Sequence, residues 1–527
     1  MSSRLTALKL IKLTAFVACL LTCMSSALIA QEQDAEQLIQ ELQRATDGYD
    51  VAKQSQAFAD VRGADAMQAR VEIFDDKLEI KGGPNLRDWL VSGMIKAEGD
   101  EETEVLAKAA ANKKSSPLLR LVCLRALRRG KANVDAKPLL SKSFQKCDAM
   151  TQREWQRTIG VLLAQNRLNL EKVKGGAGAV RSQLLATGAP YLGFQFLKDL
   201  TDAEAVQIAQ TALKCKDAGD LAQIIHVLAA ADDGEYAHFL KVARFALNHK
   251  SAGPRIAVVE ASIENRVFEV VPFIIQALQA LESEPPGRYP ADYAAALRML
   301  TQQQFGTRSQ SWQTWWQGDG KEWLSGIRSS GLRKPKLLNA KAEHQDGDDT
   351  VAKLFGIPVD SNRVAIVIDG SGSMKDELDH RTAAQAAADE LESFLADFPK
   401  DGRIQLHIIV RQGKQCFKKV VQSNAKNCRK AVEYVRGFDY GAASSMYDVL
   451  VEAQEDSEID TILFISDGGG SWGSFAYAGH MLDGLEFAHQ RSGVRIHAIC
   501  VGKSKTKLRF MRDLAELTGG KMKEPSG

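Results

Sequence analysis

The chain has 527 residues, of which 45% are hydrophobic and 25% charged, with 41 Gly and 13 Pro. These fractions are ordinary for globular protein and exclude wholesale disorder, a collagen-like chain and a polytopic membrane protein, while the length predicts two to four domains. Lysine and arginine number 68 against 66 for aspartate and glutamate, a formal net charge of +2, so a global basic field for nucleic acid is absent.

The N-terminus has the pattern of an export signal. Arg4, Lys9 and Lys12 precede an uncharged run over 13–30, and a charged start before an apolar run is typical of a secretory signal peptide. We expect residues 1–30 to be a cleaved signal and the protein to be extracytoplasmic, either periplasmic or secreted. The alternative is an uncleaved membrane anchor, because the apolar run is just long enough to span a bilayer.

Eight cysteines are present, and six of them follow the predicted signal. No Cys-x-x-Cys pair occurs, which argues against a zinc knuckle. Cys416 and Cys428 can pair in an oxidising compartment, but the sequence alone does not fix the geometry that a disulfide needs and leaves their pairing open.

Residues 31–327 have the periodicity of successive short helices. Pro117 stands at a helix start and is followed by apolar residues at helical spacing. Similar segments occur at 151–165, 203–215, 221–230, 236–247, 267–281 and 292–301. Helices joined by short polar turns over this length predict an α-solenoid of helix pairs. The repeats are irregular, so a plain helical bundle is the alternative.

The helical region ends in an aromatic segment. Trp312, Trp315 and Trp316 lie at i, i+3 and i+4 and form one helix face. With the preceding 297–306 and the following Trp323, the segment resembles the closing part of HEAT-like repeat arrays in bacterial exported proteins. We favour a capping helix that seals the last apolar face of the array, with an aromatic ligand platform as the alternative.

A polar linker at 328–354 separates this region from an α/β domain at 355–527. Continuous apolar runs at Arg363–Asp369 and Asp460–Asp467 predict strands that are buried on both faces. Further strands are predicted at 403–410, 415–421 and 494–501, and helices at 382–398, 425–435, 446–453, 480–491 and 508–518. Alternating strands and helices predict a doubly wound parallel sheet.

Polar residues follow the two most apolar strands. Asp369, Ser371 and Ser373 come at the end of the first strand, and Asp467 comes at the end of the second. In the usual doubly wound order these strands are neighbours, so the side chains should converge in one crevice. Carboxylates and hydroxyls without Cys or His form a hard oxygen set, suited to Mg²⁺ or Mn²⁺ rather than to zinc.

Five features occur in order, the first just before residue 359 and the others within about 359–525. They are Gly356-Ile-Pro, the Asp-x-Ser-x-Ser motif after the strand, a helix start at Tyr447-Asp448, Phe464-Ile-Ser-Asp-Gly, and Leu517-Thr-Gly-Gly. Together they resemble the von Willebrand factor type A (VWA) domain with its metal-ion-dependent adhesion site (MIDAS). The resemblance implies a Rossmann-like VWA fold and a metal bound by Asp369, Ser371, Ser373, Ser444 and Asp467.

Ser444 stands where the family usually has Thr. Serine keeps the hydroxyl but lacks the methyl group that restrains χ1, so metal binding is expected with a strength that the sequence does not fix. The family resemblance further implies that Mg²⁺ (or Mn²⁺) keeps a position open for an acidic residue of a partner protein. The expected function is therefore a non-enzymatic, extracytoplasmic protein-binding or adhesion-type module on a helical scaffold. A metal-free VWA scaffold protein is one alternative.

A serine hydrolase is the other alternative. Gly469-Gly-Ser471-Trp-Gly473 fits the G-x-S-x-G pattern, with Asp483, His489 and His497 downstream. Only the residues from 472 to 527 follow Ser471, which is short for the strands that usually carry the acid and the base. We favour a Gly-rich surface loop. The sequence leaves open the ligand, the oligomeric state and whether the helical repeats bind a partner.

Overall fold

The computed structural model describes residues 48–75, 86–185, 191–194, 200–231, 236–283, 287–329 and 351–524, apart from gaps at 379, 412, 442, 471–472, 474–477 and 503, together with isolated positions before 48. The predicted signal peptide and residues 330–350 of the predicted linker lie outside these ranges. The described chain forms two compact units, one up to Leu184 and one from Leu185 onward, and each is described by itself.

The first unit is built almost entirely of helices. They are α1 Gly48–Asp60, α2 Ala64–Phe74, α3 Leu86–Ile95, α4 Asp100–Ala111, α5 Pro117–Arg129, α6 Ala136–Leu139, α7 Ala149–Ala164 and α8 Gly176–Leu185. Helix α5 begins at Pro117, as predicted, with the Ser116 hydroxyl accepting a hydrogen bond from the Leu119 amide. Each helix from α1 to α7 packs on a helix that is one or two places away along the chain, as in a stack of helix pairs. Two short parallel strands, β1 Val134–Asp135 and β2 Leu168–Asn169, also pair here.

The second unit begins with further helices. They are α9 Tyr191–Phe194, α10 Asp202–Ala212, α11 Ala218–Ala231, α12 Ala237–Ala246, α13 Ala252–Asn265, α14 Val271–Leu281, α15 Tyr289–Thr301, α16 Ser309–Trp315 and α17 Lys321–Ser329. Trp312 is fully buried and its ring meets those of Phe305 and Trp315 edge to face. Trp323 likewise meets Phe268 edge to face, so these rings pack on one another at the end of the helical region.

The α/β part follows. Its strands are β3 Lys353–Leu354, β4 Ile357–Pro358, β5 Arg363–Asp369, β6 Glu377–Leu378, β7 Arg381–Thr382, β8 Arg403–Ile409, β9 Lys414–Gln415, β10 Val421–Gln422, β11 Thr461–Ser466, β12 Arg495–Cys500 and β13 Met522–Lys523. Its helices are α18 Ala383–Asp397, α19 Ala425–Arg436, α20 Met446–Glu455, α21 Ala478–Ser492 and α22 Lys505–Leu517.

The main sheet has the order β10-β8-β5-β11-β12-β13, with β9 paired to β8. Strands β8, β5, β11, β12 and β13 run parallel, and β5 and β11 are direct neighbours with Ile368 opposite Ile465. Every residue of β11 is buried, because helices cover both faces of such a sheet. The predicted adjacency of the two most apolar strands is therefore confirmed.

One strand prediction is wrong in detail. The segment 415–421 does not form a single strand. It contributes one residue to each of two short strands, β9 and β10, which both pair antiparallel with β8 and are separated by residues 416–420. Lys418 and Lys419 interrupt the apolar run in the middle of this segment, and charged residues at an edge are poorly suited to continuous pairing.

Helices of the second unit pack tightly on its α/β part. Helices α11 and α13 both lie against α21. A Cβ built on Gly253 of α13 would clash with the carbonyl oxygen of Gln490 in α21, so the two backbones approach as closely as only glycine allows.

A partly buried polar cluster, here called the seam, joins the start of α15 to the amino-terminal ends of β5, β11 and β12. The seam consists of Arg288, Asp292, Asp360, Asp460 and Arg495. Arg495 lies 2.5 Å from Asp292 and 3.3 Å from Asp360. The backbone amide of Arg288 donates to Asp460, and its guanidinium donates to the Gly493 carbonyl.

These contacts place the helices from 202 to 301 and the α/β part in one compact unit, whereas the sequence predicts a domain boundary at 327 and a linker over 328–354. The ends of that predicted linker are regular structure: α17 runs to Ser329, and β3 pairs with β4. None of the helices in the described ranges combines the length and the apolar composition that a membrane span requires.

Candidate metal centre

The residues proposed as metal ligands lie at the carboxyl edge of the sheet. Asp369 ends β5 and Asp467 follows β11. Since these parallel strands are adjacent, the chain leaves both of them at the same edge. The loop before α20 joins them there, because the Gly441 amide donates to the Gly370 carbonyl at 3.0 Å. Three loops that are distant in sequence therefore meet at this edge.

Asp369 is the buried centre of this arrangement, with no exposed surface. Its Oδ1 accepts the Ser371 amide at 2.9 Å and its Oδ2 accepts the Ser466 hydroxyl at 2.7 Å. Burial raises the pKa of Asp369 to about 6, and the nearby Asp467 acts in the same direction, although the hydrogen bonds from Ser466 and Ser371 oppose the rise. A carboxylate in such a place is stabilised by a nearby cation.

The two serines of the motif bring their hydroxyls together. Ser371 Oγ and Ser373 Oγ lie 2.9 Å apart. Gly372 stands between them, and a Cβ there would be 3.9 Å from the Gly441 Cα. This proximity shows that the loop after β5 and the loop before α20 are in contact. The paired hydroxyls form an oxygen-rich spot on the first of these loops.

Ser444 and Asp467 belong to the other two loops of the site, which hydrogen bonds connect to each other. Ser444 is fully buried and its Oγ donates to the Gly469 carbonyl at 3.1 Å. The Gly469 amide in turn donates to Asp467 Oδ1 at 3.0 Å. Ser444 is therefore tied to the same loop as Asp467, and the structure brings the five predicted residues to one edge.

Two further residues, Ser466 and Lys507, contribute to this site although the sequence pattern does not predict them. Ser466 donates to Asp369 and accepts the Gly468 amide at 2.9 Å. Its position immediately before Asp467 was the available signal. Lys507 places its Nζ 2.5 Å from Asp467 Oδ2, and nothing in the motif points to a lysine 40 residues downstream. This ammonium is a cation already present in the site.

The donor chemistry fits a hard divalent cation. The site offers two carboxylates and three hydroxyls, which are ligands that Mg²⁺ and Mn²⁺ accept. Within the described ranges there is no group of three or more His, Cys, Asp or Glu that could hold a metal ion. A metal here would therefore depend on the serine hydroxyls, and water or a partner would have to complete six-fold coordination.

Two residues of the hydrolase alternative, His489 and His497, lie away from this edge. Ser471 lies outside the described residues. His489, in the last turn of α21, has its Nδ1 2.9 Å from the Val494 carbonyl, which precedes β12 at the opposite edge. His497 lies within β12, accepts the Lys521 amide at its Nδ1, and has its pKa lowered to about 3 by burial. The sheet thus separates His489 from the loop after β11.

Cys416 and Cys428 are free thiols in the structure. Cys428 donates to the Ser423 carbonyl at 3.3 Å, and Cys416 approaches the Lys430 carbonyl at 4.0 Å. Burial raises the pKa of both thiols, which makes them less reactive at neutral pH.

No family model matches the chain, and no curated protein does. Among solved structures, a von Willebrand factor type A protein from Catenulispora acidiphila is 17% identical over 31% of this chain and 38% of its own, with a TM-score of 0.25. The Deinococcus radiodurans RO (RSR) protein is 12% identical over 91% of this chain and 86% of its own, with a TM-score of 0.21. Likenesses this weak leave the sheet and its loops as the basis for interpreting the site.

Proposed function

We propose that the α/β part of this protein is a metal-dependent protein-binding module of the VWA type, carried on a helical scaffold and working outside the cytoplasm. Asp369, Ser371, Ser373, Ser444 and Asp467 would hold one Mg²⁺ or Mn²⁺. The partner would be a protein that presents an acidic residue to that metal. The module has no catalytic role in this proposal.

One observation carries the proposal. The Asp-x-Ser-x-Ser loop, the Ser444 loop and the Asp467 loop come from three separate parts of the chain, and hydrogen bonds join them at one edge of the sheet. Two carboxylates and three hydroxyls therefore belong to loops that meet at this edge, which supports the proposal. A single Asp-x-Ser-x-Ser turn without this convergence would favour the metal-free alternative.

The chain's own residues prepare the site for a cation. Ser466 and the Ser371 amide hold the carboxylate of Asp369 in place, and the Gly469 amide does the same for Asp467. A bound divalent cation would supply a positive centre with an open coordination position, able to attract a partner's carboxylate. Pre-positioned ligands lower the ordering cost of such binding.

Calorimetry and thermal melting with MgCl₂ or MnCl₂ test the metal. We expect the wild type to bind one ion and to melt at a higher temperature with metal than with chelator, because a ligand that binds only the folded state stabilises it. Asp369→Ala should lose both effects. Asp439→Ala is the matched control: Asp439 lies just before Gly441, but its side chain is 98% exposed, and this variant should behave as the wild type.

The partner is tested by pull-down from envelope extract with Mg²⁺ or with chelator, using wild type, Asp369→Ala and Asp439→Ala as baits. A protein captured by wild type and by Asp439→Ala only when Mg²⁺ is present would support the module. Absence of any heat with millimolar Mg²⁺ or Mn²⁺, even with a carboxylate peptide present, would favour the metal-free scaffold.

The extracytoplasmic part of the proposal rests on the charged and apolar pattern of residues 1–30. N-terminal sequencing of the protein recovered from fractionated cells tests it. We expect a mature start near Leu28 or Gln31 in an extracytoplasmic fraction. An intact N-terminus on membrane-bound protein would indicate the anchor alternative, and an intact one on cytoplasmic protein would contradict export.

A further inference from the structure

Lys507 occupies a position in the candidate metal centre that the proposed ligand set does not explain. It lies in the first turn of α22 (Lys505–Leu517), and its Nζ is 2.5 Å from Asp467 Oδ2. Asp467 is 9% exposed whereas Lys507 is 38% exposed. The carboxylate is therefore held in the protein, while the lysine side chain has solvent into which it can move.

The backbone around Asp467 leaves room for this lysine. Gly468 has φ +82°, and a Cβ there would lie 2.8 Å from the Lys507 carbonyl oxygen. A Cβ on Gly469 would lie 2.8 Å from Lys507 Nζ and 2.9 Å from its Cε. Any side chain at position 468 or 469 would displace Lys507. The two glycines after Asp467 therefore leave the space that the lysine occupies.

The other side of Asp467 is fixed as well. A Cβ on Gly502, in the loop between β12 and α22, would lie 2.7 Å from the Asp467 carbonyl oxygen. Gly502 also accepts from the Cys500 thiol at 3.7 Å, and the Asp467 carbonyl accepts from the same thiol at 3.8 Å. The start of α22 is therefore packed beside Asp467, and the lysine is directed to the carboxylate by this packing.

We propose that Lys507 is an internal counter-cation that competes with the divalent metal for Asp467, so that metal binding requires its ammonium to leave the carboxylate. This inference rests on the proposed metal site and adds the residue that sets its affinity. Two positive centres cannot share one carboxylate oxygen without strong repulsion. Lys507 thus keeps Asp467 paired without metal and shifts occupancy to higher metal concentration.

Substitution of Lys507 by Met tests the competition, because Met keeps an unbranched stem and removes the charge. Lys507→Met should bind Mg²⁺ about tenfold more tightly than the wild type, since a nearby like charge opposes binding of a cation by this order. In chelator the variant should melt at a lower temperature than the wild type, because Asp467 has lost its partner. Mg²⁺ should then raise its melting temperature by more than it raises that of the wild type.

Lys505→Met is the matched control. It removes the same charge from the same turn of α22, where Lys505 is exposed, and its Mg²⁺ affinity should stay within about twofold of the wild type. Lys507→Gln is the second variant should Lys507→Met fold poorly, because an amide can still donate to Asp467 without carrying charge.

The outcomes separate this inference from the proposed function. Unchanged or weaker Mg²⁺ binding in Lys507→Met and Lys507→Gln, with normal binding in the wild type, would overturn the competition and leave the metal site standing. No Mg²⁺ binding in any of these cooperatively melting proteins would overturn the metal site itself, and a lower melting temperature of Lys507→Met would then mark Lys507 as a permanent structural counter-ion.

Discussion

Asp369 shows how the site gains its chemistry from burial. Its carboxylate has no exposed surface and accepts one backbone amide and one hydroxyl. Two hydrogen bonds do not fully replace the water that a carboxylate loses, which is why burial leaves its pKa raised to about 6. At neutral pH Asp369 is therefore ionised, and its buried charge lowers the stability of the metal-free protein.

Asp369→Asn should relieve that cost. In chelator at pH 7.5 we expect the variant to be more stable than the wild type by about 1 to 3 kcal/mol, since each unit of raised pKa corresponds to about 1.4 kcal/mol. The amide can keep both contacts, because Ser466 Oγ can accept a hydrogen bond as well as donate one. Chemical denaturation with and without Mg²⁺ is the measurement.

With Mg²⁺ the order should reverse, because only the wild type gains stability from the metal. A variant that is less stable than the wild type in chelator would show that the charge of Asp369 is already satisfied by the protein alone. The difference in the free energy of unfolding between the two conditions therefore measures how far a bound metal offsets the cost of the buried Asp369 charge.

The site was predictable where its residues share a motif and unpredictable where they meet only in space. Asp369, Ser371 and Ser373 are one short pattern after an apolar strand, and the neighbouring strand fixes where Asp467 lies. Lys507 follows from no local pattern, because its contact with Asp467 depends on how the loop between β12 and α22 packs. A single lysine in a polar helix start gives no sign of such a contact.

At the scale of elements, three helices meet at an ionisable cluster. His226 of α11 has its Nδ1 3.6 Å from Glu264 and its Nε2 3.9 Å from Glu260, both in α13. Burial alone would lower the pKa of His226, but the close contact with Glu264 and the negative charges of Glu260, Glu264 and Glu486 raise it above its ordinary value. Glu486 belongs to α21, so the cluster spans the contact between the helices and the α/β part.

Protonation of His226 should stabilise this contact. A histidine whose folded-state pKa is raised contributes stability that is fully present below about pH 6.5 and is lost as the pH rises through the folded-state pKa. We expect His226→Gln to lose up to about 1 kcal/mol of stability at pH 6 and almost none at pH 8.5, because Glu264 is 66% exposed and screened by solvent. Denaturation curves at several pH values measure this difference.

An equal loss for His226→Gln at both pH values would indicate that the side chain acts by packing alone. The cluster itself was missed in the sequence, since a histidine at helical spacing gives no information about carboxylates on two other helices.

The elements themselves were easier to predict. Apolar runs identified β5, β8, β11 and β12, and helical spacing identified α18 to α22, because these segments bury most of their surface and their composition follows from that burial. Helix α18 even shows its cap, with Thr382 and Gln385 forming a capping box. The short edge strands β9 and β10 carry too few residues for a period to be visible.

At the scale of the whole molecule, the contacts cross the predicted boundary at 327. Asp460 of the α/β part has no exposed surface, and it accepts hydrogen bonds from Ser361, Thr461 and the Arg288 amide. Arg288 is itself 2% exposed. The chain separates Arg288 from Asp460 by 172 residues, so no local pattern reveals the seam.

The seam should hold the two sides of that stretch together after the chain is cut. In the full chain with a specific protease site introduced at about residue 340, we expect the fragments to co-elute in gel filtration after complete cleavage. Arg288→Met keeps the apolar stem and the backbone amide that donates to Asp460, but it removes the guanidinium that donates to the Gly493 carbonyl and lies 3.5 Å from Asp292. Loss of a hydrogen bond from a buried charged group costs about 1.5 to 3 kcal/mol, which corresponds to fragment association about 10- to 150-fold weaker.

The fragments of the cleaved Arg288→Met protein should therefore elute as two separate peaks at low micromolar concentration. Arg308→Met is the control, because it alters an exposed arginine of the same helical region, and its fragments should still co-elute. Separation of the cleaved wild type would show that the seam contributes little, and that residues on either side of 340 fold as independent domains, as the sequence predicts. Co-elution would instead mean that the helices permanently cover the amino-terminal edge of the sheet, where β5, β11 and β12 begin. The carboxyl edge, with Asp369 and Asp467, would then be the end of the sheet at which a partner can bind.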